Sequence, residues 1–541
     1  MRYCVAPILG SLVLILAACT GLDKGEGSLS IDPVERGFEL PAHPIVLFYV
    51  DGLRQDVFEE MLAEGKLPKL RRTFLDRAAR VRSAVVSVPS VTYANSVTMV
   101  TGRWPSAHGV WANVWFDRYE LLTHNYEDER GNADLDRTCP TLFELMPESL
   151  SAAIALPFER GVELTFANSV DDGGLPAGVA WTMGEEKTTD QILSEQLYEI
   201  GQQAREVRAW PALIAIHLPA VDEIAHTVGS DGKEYRSAIE NLDDCIGSAL
   251  ETFERGGMLE DMILVLVSDH GHHSTPRSLA LDEYLRAALD MPVLLNCKDD
   301  GAASYVSRWE HYAKARVVVT TSGEREASLH LRCGASWNER PTLEEIVGFA
   351  GPDRGELPSL LLEGPAIELV AVRAGKDEVQ IWSRLGHASI VRSGVNDEAV
   401  FSYRLLAGED PLGYDQDPKL WSWIGAGAHR SREWLTATAD MPRPDLVPQL
   451  MAAFDNPRSG DVVLFAAREW DFSADYAGGH GGIEREEMVV PLYFAGPGIR
   501  PRAEIPAARL VDLVPTLLDL AGVEWRAAHS FDGESLEPFL Q

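Results

Sequence analysis

Two uninterrupted apolar runs, each leaving directly into acidic and histidine residues, constrain this chain more than any other feature. Ile45 to Val50 ends at Asp51-Gly52, and Met262 to Ser268 runs into Asp269-His270-Gly271. A third run, Ala212 to Leu218, is followed a few residues later by Asp222. A strand that is apolar on every residue has no solvent face, so it belongs in a sheet covered on both sides, and such sheets are mostly parallel. Helical spacing fills residues 56–79 and Lys233 to Arg255, the latter stopping at Gly256-Gly257. Strands alternating with helices predict an α/β fold, a mostly parallel sheet sandwiched by helices. Further expected elements are a strand at Val81 to Val88, a helix from Thr92 to Thr101 that stops at Gly102, and a final helix over about 508–521.

In open α/β sheets ligands gather at the carboxyl ends of the strands. Asp51, Asp269 and His270 fall there. Asp222 and His226 are four residues apart, so on a helical turn they share a face and can hold one ion. His480 sits in Gly478-Gly479-His480-Gly481-Gly482, where glycines let the backbone approach a site closely. Three Asp and three His are ligands enough for two divalent ions, and the lack of Cys among them argues against a structural zinc knot. Singly each signal is weak, since a strand-end Asp is more often a turn or helix cap; together they favour a two-metal centre. Thr92 stands where a helix begins and has two readings. It is a helix cap, as Thr often is, or it is a nucleophile favoured by free helix N–H groups and activated by a metal.

Charge narrows the choice of ligand. The chain has 541 residues with 48 Lys+Arg against 83 Asp+Glu, a formal net charge of −35. No nucleic-acid binding through a basic surface is expected. A small anionic substrate is compatible only where bound cations reverse the local field.

The N-terminus reads as a targeting segment. Arg2 precedes an apolar run from Ile8 to Ala18, and Leu16-Ala17-Ala18-Cys19 resembles the bacterial lipoprotein box. Residues 1–18 are therefore expected to be a lipoprotein signal peptide, with Cys19 lipidated and holding the chain to a membrane. An ordinary cleaved signal peptide is the alternative, and either one exports the protein. Thr20, in place of Asp after the Cys, points to the outer membrane, facing the periplasm. Residues 19–43, rich in Gly, Ser and Pro, read as a tether. No later run reaches transmembrane length, so no membrane-spanning helix is expected. Cys139, Cys245, Cys297 and Cys333 remain, and an oxidising compartment permits bridges among them. From about 291 to 460 the texture changes to short strand-like pieces and acidic turns with no motif for chemistry. The expected organisation is a catalytic core over 44–290 and 461–541, interrupted by a cap-like insertion at 291–460.

The run Pro89-Ser90-Val91-Thr92-Tyr93-Ala94-Asn95, with Val100-Thr101-Gly102, Pro105, His108-Gly109 and Asn113, resembles the alkaline phosphatase superfamily. Within it the type I phosphodiesterase/nucleotide pyrophosphatase family is most similar. Asp51-Gly52, Asp222 with His226, Ser268-Asp269-His270-Gly271, Gly479-His480-Gly481 and Leu510-Val511-Asp512 follow in that family's order. The resemblance covers about 44–290 and 461–541 and implies an alkaline-phosphatase-like fold. It implies two divalent ions, with zinc the expected metal. Asp222, His226 and His480 would hold one; Asp51, Asp269 and His270 would hold the other, with the Thr92 oxygen beside it. Thr92 would attack phosphorus and form a covalent phospho-threonine. Asn113 and the N–H of Tyr93 would donate to phosphoryl oxygens, and the Tyr93 ring would stack on a leaving nucleoside. His272 and His273 are expected behind the ligands or at the surface, His108 as structural, and Trp104, Trp111 and Trp115 as packing.

The substrate implied is a small phosphate ester, with a phosphodiester or nucleotide preferred. Monoesterases of the superfamily carry a Lys-x-Arg pair ahead of a Leu-Pro-Ala-Gly stretch. Here Leu175-Pro176-Ala177-Gly178 is present, but Asp171-Asp172 stand before it. Arg160 and Lys187 are the basic residues that could substitute. A phosphate monoesterase or a phosphonate or sulfate hydrolase on the same scaffold is the alternative among enzymes. A catalytically silent surface lipoprotein that binds metal or ligand is the alternative outside them.

Overall fold

The structure is a computed structural model that describes residues 31–126, 134–166, 180, 184–295, 305–395, 398–526 and 528–541. The leader, Cys19, Asp171-Asp172, the 175–178 stretch and Cys297 lie outside the described residues.

Ile45–Val50 is the middle of an eight-stranded sheet, pairing in parallel with Leu213–Leu218 on one side and Ile263–Ser268 on the other. Ser151–Ile154 and Leu164–Phe166 extend it in parallel beyond Leu213–Leu218. On the far side Leu492–Ala495 runs antiparallel to Ile263–Ser268, and Ala79–Val81 and Glu504–Ile505 form the edge. The continuous apolar runs follow from burial on both faces. Val46, Phe48 and Val50 pack on one side with the helices Gln55–Glu64, Glu186–Val207 and Lys233–Arg255. Leu47 and Tyr49 pack on the other with Thr92–Thr101 and Leu513–Leu520. The architecture is thus the expected mostly parallel α/β sandwich.

Some elements differ from expectation. The helical pattern over 56–79 breaks at Gly65, whose φ of 73° ends Gln55–Glu64. The strand expected at 81–88 is two short pieces, Ala79–Val81 and Ala84–Val85, which pair with different sheets. The final helix begins late, because Ala508–Arg509 pairs with Ala84–Val85 and a 3₁₀ turn, Leu510–Asp512, precedes Leu513–Leu520.

Residues 293–466 build a second sheet of nine strands. Its order is Val293–Leu295, Val317–Ser322, Glu326–Leu331, Val462–Ala466, Ile367–Arg373, Glu378–Trp382, Gly386–Ser393, Val400–Gly408 and His429–Arg430. All its pairs are antiparallel except the first. Val462–Ala466, expected with the returning core, lies in this second sheet instead. It is buried along its whole length, and a run apolar throughout does not disclose which sheet it joins. Cys139, Cys245 and Cys333 are free thiols. No helix among the described residues is long and apolar enough to cross a membrane.

Candidate active site

The parallel strands deliver the site as their carboxyl ends suggest. Ile45–Val50 ends at Asp51, and Ile263–Ser268 ends at Asp269 and His270. Leu213–Leu218 leads through Pro219 into the helix Ala220–Val228, which carries Asp222 and His226 one turn apart. Asp51, Asp269 and His270 bring ligand atoms within 4.8 Å of one another. Asp222, His270 and His480 do the same, as do Asp222 with His226 and His272, and His226 with Glu324 and His480. All six residues expected as ligands therefore meet in one place, although Asp51 and His480 are far apart in sequence.

Thr92 belongs to this cluster. It occupies the first position of Thr92–Thr101, while Val91 is the N-cap and makes no side-chain cap bond. The hydroxyl does not cap the helix. Thr92 Oγ1 lies 3.1 Å from His270 Nε2, which is itself 3.3 Å from both Asp51 Oδ1 and Asp269 Oδ2. The loop before it is braced by Asn95: its Oδ1 accepts the Ser87 N–H at 2.7 Å, and its amide donates to the carbonyls of Ser87, Pro89 and Val91. His480 Nδ1 donates to the Ser90 carbonyl at 2.9 Å, and the His480 ring stacks on that of His270 with centroids 3.6 Å apart.

Asn113 and Tyr93 lie beside Thr92, but they differ in detail from the expectation. The Tyr93 N–H donates to Asn113 Oδ1 at 3.1 Å, so one of the two expected phosphoryl donors is held by the other. The Tyr93 ring packs near Tyr126 and Phe158, at centroid distances of 5.6 and 5.9 Å. His108 is buried and bonded to Thr98, and Trp111 and Trp115 are buried in the core, as expected. Arg160 binds Glu144 and the Leu135 and Cys139 carbonyls, and Lys187 binds Ser237. Those partners are not site residues.

Three site residues were missed on the sequence. His217, one residue before the end of its strand, has Nε2 2.9 Å from Asp51 Oδ2 and stacks on Tyr49. Tyr49 donates its hydroxyl to Asp269 Oδ2 at 2.9 Å. The two are register partners across adjacent parallel strands, and a polar residue inside each apolar run was the available signal. Glu324 reaches the site from the second sheet, with Oε2 3.5 Å from His226 Nδ1. The stretch read as lacking chemistry thus contributes a carboxylate. Of the two expected places for His272 and His273, burial at 0% and 5% exposure removes the surface and leaves the other.

The donors present fit divalent cations. Asp51 Oδ1 and Asp222 Oδ1 are buried without a hydrogen-bond partner, as are both ring nitrogens of His272. Leaving such an atom unpaired costs about 1–3 kcal/mol. Burial, together with the charges of Asp269 and Asp222, drives the Asp51 carboxyl well above its ordinary range, and burial likewise raises Asp269. Burial opposes charge on Asp222 as well, but the neighbouring His226 holds it well below its ordinary value. Carboxylates crowded in this way call for positive charge, and imidazole with carboxylate suits zinc-type ions.

Fold and site together define an α/β scaffold of the alkaline-phosphatase type with a candidate metal centre at the strand ends. A family model, type I phosphodiesterase / nucleotide pyrophosphatase, matches residues 45–333, and the chain belongs to that family. It is similar to an uncharacterised pyrophosphatase/phosphodiesterase of Schizosaccharomyces pombe, 25% identical over 231 residues, which are 42% of this chain and 44% of the relative. It is also similar to mouse ectonucleotide pyrophosphatase/phosphodiesterase family member 1, 23% identical over 259 residues, 47% of this chain and 27% of the relative. The chain thus spans less than half the length of these curated relatives. Among solved structures, murine ectonucleotide pyrophosphatase/phosphodiesterase 5, as an inactive Thr-to-Ala variant in complex with AMP, superposes with a TM-score of 0.53. The match has 14% identity and covers 92% of this chain and 100% of that one.

Proposed function

We propose that the chain is a two-metal phosphodiesterase of the nucleotide pyrophosphatase type, with Thr92 as its nucleophile. One observation carries the reading. Thr92 stands at a helix start yet caps nothing, and its hydroxyl contacts His270 inside the Asp51–Asp269–His270 group. The structural relative whose Thr-to-Ala variant is inactive and binds AMP supports the same assignment.

Asp222, His226 and His480 would hold one ion, and Asp51, Asp269 and His270 the other. Bound there, two divalent cations, zinc by the ligand chemistry, supply positive charge that acidifies the Thr92 hydroxyl and offsets charge on the departing oxygen. Thr92 Oγ attacks phosphorus, the bond to the leaving alcohol breaks, the Thr92 proton ends on the departing alcohol, and a Thr92 phosphodiester that keeps the second ester group forms. Water then attacks the same phosphorus, the Oγ–P bond breaks, and the Thr92 hydroxyl is restored. The Asn113 amide NH₂ would donate to a phosphoryl oxygen where charge builds up. His217 and Tyr49 fix Asp51 and Asp269 from behind.

The substrate class follows from charge. A monoester dianion needs more positive charge than a diester monoanion, and Arg160 and Lys187 are engaged elsewhere. A nitrophenyl diester is expected to be hydrolysed with higher kcat/KM than the matching monoester. A monoester preference of about tenfold or more, ~1.4 kcal/mol, would assign the chain to the monoesterases instead. Tyr93→Ala should weaken nucleotide diesters more than methyl diesters, since stacking on a base contributes roughly 1–3 kcal/mol. Equal loss on both would remove Tyr93 from substrate recognition.

Export and anchoring belong to the same proposal, resting on the leader and Cys19. Mass spectrometry of the mature protein from a bacterial membrane fraction should find an acylated N-terminal Cys19. A soluble mature chain without lipid would leave only an ordinary signal peptide.

A further inference from the structure

Beside Asp222 and His226 stands an imidazole that the two-metal reading leaves unused. Gly271 separates it from His270 and packs closely on the backbone of Glu486 and Glu487. The Gly271 N–H donates to the Glu487 carbonyl at 2.9 Å, and a Cβ there would lie 1.9 Å from the Glu486 carbonyl oxygen. His272 lies against the Ala220–Val228 helix, near Asp222 and His226. His272 is fully buried, its Nε2 is 3.7 Å from Asp222 Oδ1, and neither of its ring nitrogens has a hydrogen-bond partner. Asp222 Oδ1 is also unpartnered. The His272 ring centroid is 4.8 Å from that of His226 and 5.8 Å from that of His480. One ligand atom each from Asp222, His226 and His272 falls within 4.8 Å of the others. A buried imidazole with both nitrogens idle, aimed at an idle carboxylate oxygen and a second imidazole, is a ligand set awaiting a cation.

We propose that His272 is a further ligand of the divalent cation held by Asp222 and His226. The inference rests on the two-metal reading above and goes beyond the six ligands given there. It makes the two sites chemically unequal. One would have three imidazoles and a carboxylate, from His226, His272, His480 and Asp222. The other would have two carboxylates and one imidazole, from Asp51, Asp269 and His270. Imidazole suits zinc, cobalt and nickel, whereas carboxylate suits magnesium and manganese, so the first site should discriminate more strongly for zinc-type ions.

The test is metal binding by the full chain, read without turnover. Zinc content and affinity are measured by dialysis against a chelator for the wild type, His226→Ala, His272→Ala and His273→Ala. His226→Ala should lose one ion. His272→Ala should weaken that same ion by at least about tenfold and leave the other unchanged, while His273→Ala retains wild-type affinity for both. In a second arm His272→Cys is loaded with cobalt(II). A thiolate-to-cobalt charge-transfer band absent from the wild type is expected, and it is readable even where the Ala variant folds poorly. Loss of one ion from His226→Ala with wild-type affinity in His272→Ala and no thiolate band in His272→Cys would overturn the proposal alone. Equal losses in His272→Ala and His273→Ala would also overturn it, as general damage to the loop. Wild-type metal content in His226→Ala would bring down the two-metal reading with it.

Discussion

Thr92→Ala should lower turnover by a factor of ~10³ or more, because removal of a covalent nucleophile removes the step itself. The fold should survive. Val91, not Thr92, is the N-cap of its helix, so the cost of about 1 kcal/mol for a lost cap does not arise. What is lost is the contact with His270 at 3.1 Å, which contributes about 1 kcal/mol. Rate and thermal midpoint measured on one preparation separate the two roles. A large fall in midpoint with an unchanged rate per folded molecule would make Thr92 a structural residue.

Exhaustive chelation should abolish turnover, and zinc should restore it. It should also change how stability responds to pH. The folded pKa of Asp51 is raised by burial and by Asp269 and Asp222, and His226 is raised to about 10, where burial opposes but Asp222 prevails. Both groups bind protons more tightly folded than unfolded. Their contribution is therefore present at low pH and lost as pH rises through the folded values. The metal-free protein should lose stability between about pH 7 and pH 9, and the zinc-loaded protein should not, since bound cations replace those protons. Thermal melts across that range, with and without zinc, check the sign. Full activity after complete metal removal would refute the two-metal mechanism.

Strand-end chemistry was legible in the sequence because it is local. Asp51, Asp269 and His270 each follow a run whose continuous apolarity announces a doubly covered strand, and Asp222 and His226 share a face through helical spacing. His217 and Tyr49 were hidden because their roles exist only across the register of two strands distant in the chain. Val462–Ala466 was grouped with the returning core, and its place in the second sheet was not legible because full burial looks the same in either sheet. Glu324 was invisible for a different reason. It acts from a turn between Val317–Ser322 and Glu326–Leu331, and nothing in its neighbours predicts where that turn docks.

That turn ties the second sheet to the loop that carries His480. The His480 N–H donates to the Gly323 carbonyl, the Arg325 N–H to the His480 carbonyl and the Phe472 N–H to the Glu324 carbonyl, at 2.6, 3.1 and 2.8 Å. A Cβ on Gly323 would sit 2.6 Å from the His480 ring, so nothing larger fits between the turn and the ligand. Arg325 is fully buried against Glu487. Swinging the second sheet away from the first would break these bonds, expose an ion pair and drag His480 from its place. Movement of this turn and placement of His480 are therefore coupled, and a displacement of one is a displacement of the other.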